Sequence, residues 1–140
     1  MKRPTPPRLA IVLAGLLAAT AMPAFAQEWQ PYPQPKITVE QWKAYLATVR
    51  EYLEASAEIY KDKGVVVFSN PDTRTFYIFT TKDNPAHPAW ITRQLVEEKG
   101  QVNVRQIGFY AGNADKFDKM FREYLQRNEE LLKEVEKRNQ

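Results

Sequence analysis

The sequence predicts an α+β fold: a two-layer sandwich in which a four-stranded antiparallel meander is flanked by long N- and C-terminal helices, in the order α-β-β-β-β-α. Three observations predict it. Apolar residues recur at helical spacing near both ends of the chain, over 38–63 and 113–138. Between them lie short β-branched and aromatic runs separated by Asn, Pro and Gly turn residues. The two helical segments have similar lengths and matching seams, which suits packing side by side on one sheet face.

The N-terminus precedes this domain. Lys2, Arg3 and Arg8 form a basic segment, Leu9 to about Ala21 is apolar, and Met22-Pro23-Ala24-Phe25-Ala26 closes it with small residues at Ala24 and Ala26. This order reads as a secretory signal peptide, residues 1–26, cleaved after Ala26, with the mature protein in the periplasm. A retained anchor is the alternative, but about 13 apolar residues fall short of roughly 30 Å of hydrocarbon. The chain carries 20 basic and 17 acidic residues, and the signal removes three basic ones, leaving 17 of each. A neutral mature chain lacks the clustered positive field that nucleic acid requires. There is no cysteine, so no disulfide supports the fold.

Residues 27–37 form a Pro-rich extended arm, with Pro31, Pro33 and Pro35 alternating. A single domain then fills 38–140. Its first helix starts at Thr38, where Thr38 and Gln41 have capping-box spacing and Ile37 and Trp42 have staple spacing. The pattern continues through Val39, Trp42, Leu46, Val49, Leu53, Ser56 and Tyr60 to a glycine stop at Gly64. Val65–Phe68 reads as a buried strand and Asn70-Pro71-Asp72-Thr73 as a turn. Thr75–Thr81 is a strand with aromatics on both faces, and 82–88 is a loop.

Trp90–Glu98 fits either strand or helix. As a strand it turns at Lys99-Gly100 into Val102–Tyr110, placing Leu95 opposite Val104 and Arg93 opposite Gln106. The last helix runs from the N-cap Asn113 to about Arg138. Phe117, Phe121, Tyr124, Asn128, Leu131 and Val135 form its seam. Asn128 is either a polar residue set deliberately into that seam or a solvated one beyond the domain. Leu131, Leu132 and Val135 require cover, from the first helix or from a second copy in a homodimer.

Reactive groups are sparse. His87 is the only histidine, which with no cysteine argues against a transition-metal site. Ser56 and Ser69 lack a neighbouring base, and the carboxylates at 97–98, 115 and 118 have ordinary roles at a turn and a helix start. No catalytic residue, metal ligand or cofactor is expected, and the chain reads as a non-enzyme. The candidate binding residues are His87, Trp90, Arg93, Arg105, Gln106 and Tyr110. The hairpin register divides them, with Arg93 and Gln106 on one face and Trp90 and Arg105 on the other. The plainer reading is arginine stems covering apolar sheet surface.

The stretch from Tyr77 to Ala114, with Tyr77-Ile78-Phe79-Thr80, His87-Pro88-Ala89, Arg93, Gly100 and Gly108-Phe109-Tyr110-Ala111-Gly112, resembles a group of small, signal-bearing proteobacterial proteins of unknown function. The resemblance implies a periplasmic home in a Gram-negative bacterium and carries no activity or site residues. The function expected is a protein-interaction module: an adaptor, inhibitor or assembly factor with a partner in the cell envelope. The alternative is a small-molecule-binding module built on Trp42, Tyr77, Phe79 and Trp90 beside an arginine.

Overall fold

The computed structural model describes residues 34–138, so the signal peptide expected at 1–26 and most of the expected Pro-rich arm lie outside the described residues. Helix α1 spans Val39–Leu53 and is followed by a 3-10 turn, Glu54–Ser56. Strands β1 (Glu58–Tyr60), β2 (Val65–Asn70), β3 (Thr75–Thr80), β4 (Ala89–Glu98) and β5 (Gln101–Tyr110) follow, and helix α2 spans Ala114–Arg138. The strands form one antiparallel meander in chain order. The α+β class, the meander and the terminal helices are as the sequence predicts. The sheet has five strands rather than four.

The extra strand comes from the expected end of the first helix. The capping box at Thr38 is present, with Thr38 Oγ1 accepting from Gln41 N–H at 3.0 Å and Gln41 Oε1 accepting from Thr38 N–H at 2.9 Å. The helix nevertheless stops at Leu53, some ten residues before Gly64. Ser56 is responsible: its hydroxyl donates to Leu53 O at 2.7 Å and accepts from the Ser69 amide at 2.9 Å. That side chain closes the helix end and ties it to β2, and the chain leaves extended as β1. Gly64, with φ of 67°, serves the turn between β1 and β2 instead.

A second correction concerns the layers. The helices lie on opposite faces of the sheet, which makes three layers, helix–sheet–helix, rather than two. Side-chain parity decides this. Register aligns Ile59, Val66, Phe79, Trp90 and Phe109 in one row across all five strands. Trp42 and Val49 of α1 pack on this face with Phe68, and Trp42 Nε1 donates to Ala89 O at 2.9 Å. The opposite face carries Val65, Ile78, Ala89 and Ile91, and α2 packs on it through Phe117, Met120 and Phe121. A sheet apolar on both faces has to be covered on both.

Residues 90–98 are strand. The hairpin register pairs Leu95 with Val104 and Arg93 with Gln106 across the Lys99-Gly100 turn. The last part of the arm extends this edge: Tyr110 N–H donates to Pro35 O at 2.9 Å and Ile37 N–H to Tyr110 O at 2.8 Å. Helix α2 begins at the Asn113 cap, whose Oδ1 accepts from Lys116 N–H at 2.9 Å. Gly108 sets how closely α2 sits on β5, since a Cβ there would lie 2.8 Å from Phe117 Cζ and 3.0 Å from Phe121 Cδ2.

Candidate functional site

The helix α2 follows directly from β5, so its first turns lie over β5 and β4. Three rows of side chains underlie it. Tyr60 and Val65 begin the first, Glu58, Val67, Ile78, Ile91 and Gly108 form the second, and Ser69, Phe76, Arg93 and Gln106 form the third. Phe117 and Phe121 seal the β5 end of these rows. Toward β1 the helix offers only Tyr124 and Leu131, and a groove of about 300 Å³ opens between them and the sheet. Val65, Val67, Phe76 and Ile78 make its floor, with Glu58 and Lys63 also lining it.

Arg93 lines this groove from β4, the strand farthest from β1 that contributes to it. Its Nε donates to Asn128 Oδ1 at 2.9 Å, and Nη2 donates to the same oxygen at 2.5 Å. Asn128 Nδ2 donates to Gln106 Oε1 at 3.1 Å, and Gln106 Nε2 donates to Phe121 O at 3.0 Å. This chain joins β4, β5 and α2 through side chains that are otherwise buried. Asn128 is therefore a seam residue with sheet partners and is not solvated. The guanidinium lies 5.3 Å from the Tyr124 ring centroid, and Arg127 approaches the same ring at 5.3 Å. Burial lowers the Arg93 pKa, the effect of Tyr124 opposes that, and Arg127 lowers it further. Burial also raises the Tyr124 pKa. Among the described residues no carboxylate pairs with Arg93; the ion pairs there are Arg50–Glu54 and Arg122–Asp118, both exposed.

The remaining candidates are placed elsewhere. Trp90 is a core residue, stacked on Phe79 at 5.0 Å and Phe109 at 5.4 Å and only 4% exposed. It cannot anchor a surface patch. Arg105 is exposed on the Trp90 face, and Tyr110 stacks on Phe117 at 5.0 Å on the α2 face. Trp42, Phe79 and Trp90 are packed together under α1, so the aromatic ligand cage foreseen from the sequence is the hydrophobic core. Leu131 lines the groove, Val135 is half-buried one turn further on, and Phe121 is in the core.

His87 packs edge-on against Trp42 at 5.0 Å, with Nδ1 2.8 Å from Thr80 Oγ1. That hydroxyl also accepts from Ala89 N–H at 2.9 Å and reaches Ala89 O at 3.1 Å. With the proton on Nδ1, histidine donates to Thr80 and the hydroxyl proton is left for Ala89 O, so every group is satisfied. This is a structural knot that ties the β3–β4 loop to the sheet. Sequence reasoning missed Thr80, Val67, Phe76 and Tyr60, whose alternation on β1–β3 marks a sheet face but not whether a helix covers it. Among the described residues no group of three or more His, Asp or Glu is placed to hold a metal ion, and no helix is long and apolar enough to cross a membrane.

Comparison with protein-family models, curated proteins and solved structures finds no match to this chain.

Proposed function

We propose that the mature chain is an exported, non-enzymatic protein-interaction module of the cell envelope, and that it meets its partner at the β1 edge of the sheet. The signal-like N-terminus and the resemblance to small proteobacterial exported proteins support the compartment. The observation that carries the contact surface is the concentration of exposed apolar side chains there. Of the four large hydrophobics that stand exposed among the described residues, Tyr52, Ile59 and Tyr60 lie between the end of α1 and the end of β1. Among the described residues β1 is also an edge strand paired on one side only, whereas the other edge strand, β5, is bridged by the arm at Lys36. Such an edge accepts an extended segment of another protein, backbone bonds giving affinity and side-chain contacts giving choice. A second copy of the chain, joined through Leu132 and Val135 of α2, is a further partner, and sedimentation of the purified protein tests it.

The main reading is tested with the immobilised protein against envelope extract, comparing the wild type with Ile59→Lys. A lysine on an edge strand opposes strand addition without disturbing a buried contact. One captured protein that free domain competes away, and that Ile59→Lys no longer retains, is the expected result. Equal capture by both forms sinks the edge assignment.

A specific observation favours a second reading, small-molecule binding: the groove that ends on Arg93.

A further inference from the structure

We propose that the groove between α2 and strands β1–β4 binds a small amphipathic carboxylic acid, its carboxylate on Arg93 and its apolar tail along Val67, Ile78 and Phe76. This goes beyond the β1-edge interaction and does not depend on it.

A largely buried arginine is ordinarily paired with an anion, because taking the charge out of water is costly. Arg93 is paired instead with the neutral amide oxygen of Asn128, which takes one Nε and one Nη2 proton. The two Nη1 protons and the second Nη2 proton have no partner among the described residues. They form the outer face of a planar fork, the geometry that holds a carboxylate through two parallel bonds. Arg127, on the same tyrosine ring, adds a second positive charge and no negative one.

The sole acidic residue lining the groove is Glu58. It sits on β1, three strands from β4, and among the described residues it makes no ion pair with Arg93. It is also engaged by Tyr60, whose hydroxyl donates to Glu58 Oε1 at 3.3 Å. Apart from Glu58, Lys63 and Ser69, the residues that line the groove beside Arg93 are aliphatic or aromatic, so an anion held by Arg93 would have its tail along mostly apolar surface. The volume, about 300 Å³, is at the small end for ligand sites and fits one short tail. The combination of a largely buried cation carrying unengaged donors with a mostly apolar groove selects a carboxylate with a hydrocarbon chain. A polar anion such as phosphate would meet the fork but make no use of the apolar lining.

The test uses isotope-labelled protein purified after expression of the full chain, titrated with decanoate and, separately, with decanol. The expected result is saturable shifts at Val67, Ile78, Phe76 and Tyr124 with decanoate, and decanol weaker by at least tenfold. Arg93→Gln should bring decanoate down to the decanol level, and Arg93→Lys should fall between them because it keeps charge without the fork. Since Arg93 also supports Asn128, a second variant leaves that contact intact. Leu131→Glu places a negative charge at the groove wall and should weaken decanoate at least tenfold while the rest of the spectrum stays native. Equal binding of decanoate and decanol overturns the proposal, as do shifts confined to the α1 face or full affinity in Leu131→Glu. If decanoate leaves the groove unchanged while an extended apolar peptide with one glutamate shifts the same residues, the groove is a peptide site and the small-acid proposal is likewise overturned. None of these outcomes bears on capture through Ile59.

Discussion

Arg93 on β4 gives two of its donors to a single oxygen of Asn128, a residue 35 positions away on α2. That contact fixes the height of α2 above the sheet at the point where the groove begins. It also leaves the remaining donors of the guanidinium, whose residue lines the groove, without a partner among the described residues. Asn128 therefore has two neighbours to satisfy, Arg93 through Oδ1 and Gln106 through Nδ2.

Replacing Asn128 with leucine should destabilise the fold by about 2–3 kcal/mol. The side chain is nearly isosteric, so little packing is lost, but the Arg93 donors and Gln106 Oε1 lose their partner, and each buried unsatisfied group costs about 1–3 kcal/mol. Some of that is recovered where Arg93 reaches water through the groove. Urea unfolding of both proteins measures the difference, and a loss below about 1 kcal/mol would show that the network is not structural.

The two buried tryptophans offer a comparison that isolates one hydrogen bond. Trp42 Nε1 donates to Ala89 O, whereas Trp90 Nε1 is buried with no hydrogen-bond partner among the described residues. Both rings pack in the same core under α1. Changing either to phenylalanine removes similar volume, but only Trp42→Phe also removes a bond. We expect Trp42→Phe to be the more destabilising by about 1 kcal/mol, the typical net worth of such a bond. Equal losses in parallel urea titrations would contradict this.

Much of the fold was legible because the informative chemistry is local. The Lys99-Gly100 turn gave the register of the β4–β5 hairpin to the residue, and with it the separation of Arg93 and Gln106 from Trp90 and Arg105. Thr38 and Gln41 marked the start of α1 correctly. Its end was obscured because Ile59 and Tyr60 continue a helical spacing by coincidence, and the Ser56–Ser69 bond that stops the helix joins residues 13 apart. The third layer had a sequence signal in the aromatics on both faces of Thr75–Thr80, which a sheet open on one side would not carry. The groove had none. It exists because α2 covers β4, β5 and, at Val65 and Ile78, part of β2 and β3, but leaves Tyr60, Val67 and Phe76 incompletely covered, a consequence of how two distant elements dock.

The β4–β5 turn itself holds a modest strain. Lys99 and Gly100 have φ of 52° and 80°, the left-handed pair required by a two-residue hairpin. Glycine adopts this freely, but lysine does not. Lys99→Asn, which supplies the residue best suited to that position, should stabilise the domain by roughly 0.5 kcal/mol. Lys99→Val, with a β-branched side chain at positive φ, should destabilise it by roughly 1 kcal/mol. The pair of opposite signs in thermal or urea unfolding checks the turn type, since an exposed lysine of no conformational consequence would respond to neither change.

His87 gives the fold a defined response to pH. Burial lowers its pKa from the ordinary 6.5, the hydrogen bond to Thr80 opposes the shift, and Lys82 adds to it. The native state therefore holds its proton more weakly than the unfolded chain does. Above 6.5 the ring is neutral in both states and the native contacts with Thr80 and Trp42 are intact. As pH falls through 6.5 toward the lower native value, the unfolded chain takes up protons first and stability declines. The decline ends once both states are protonated. Because His87 is the only histidine, it is the one side chain expected to titrate in the window above about pH 5.5, where carboxylates remain ionised, and His87→Gln controls for the α-amino group. Urea midpoints measured from pH 8 down to about 5.5 should fall for the wild type and stay level for His87→Gln. A wild-type midpoint that rises as the pH is lowered would mean the imidazolium is favoured in the fold, and the assignment of a neutral, Thr80-bonded ring would be wrong.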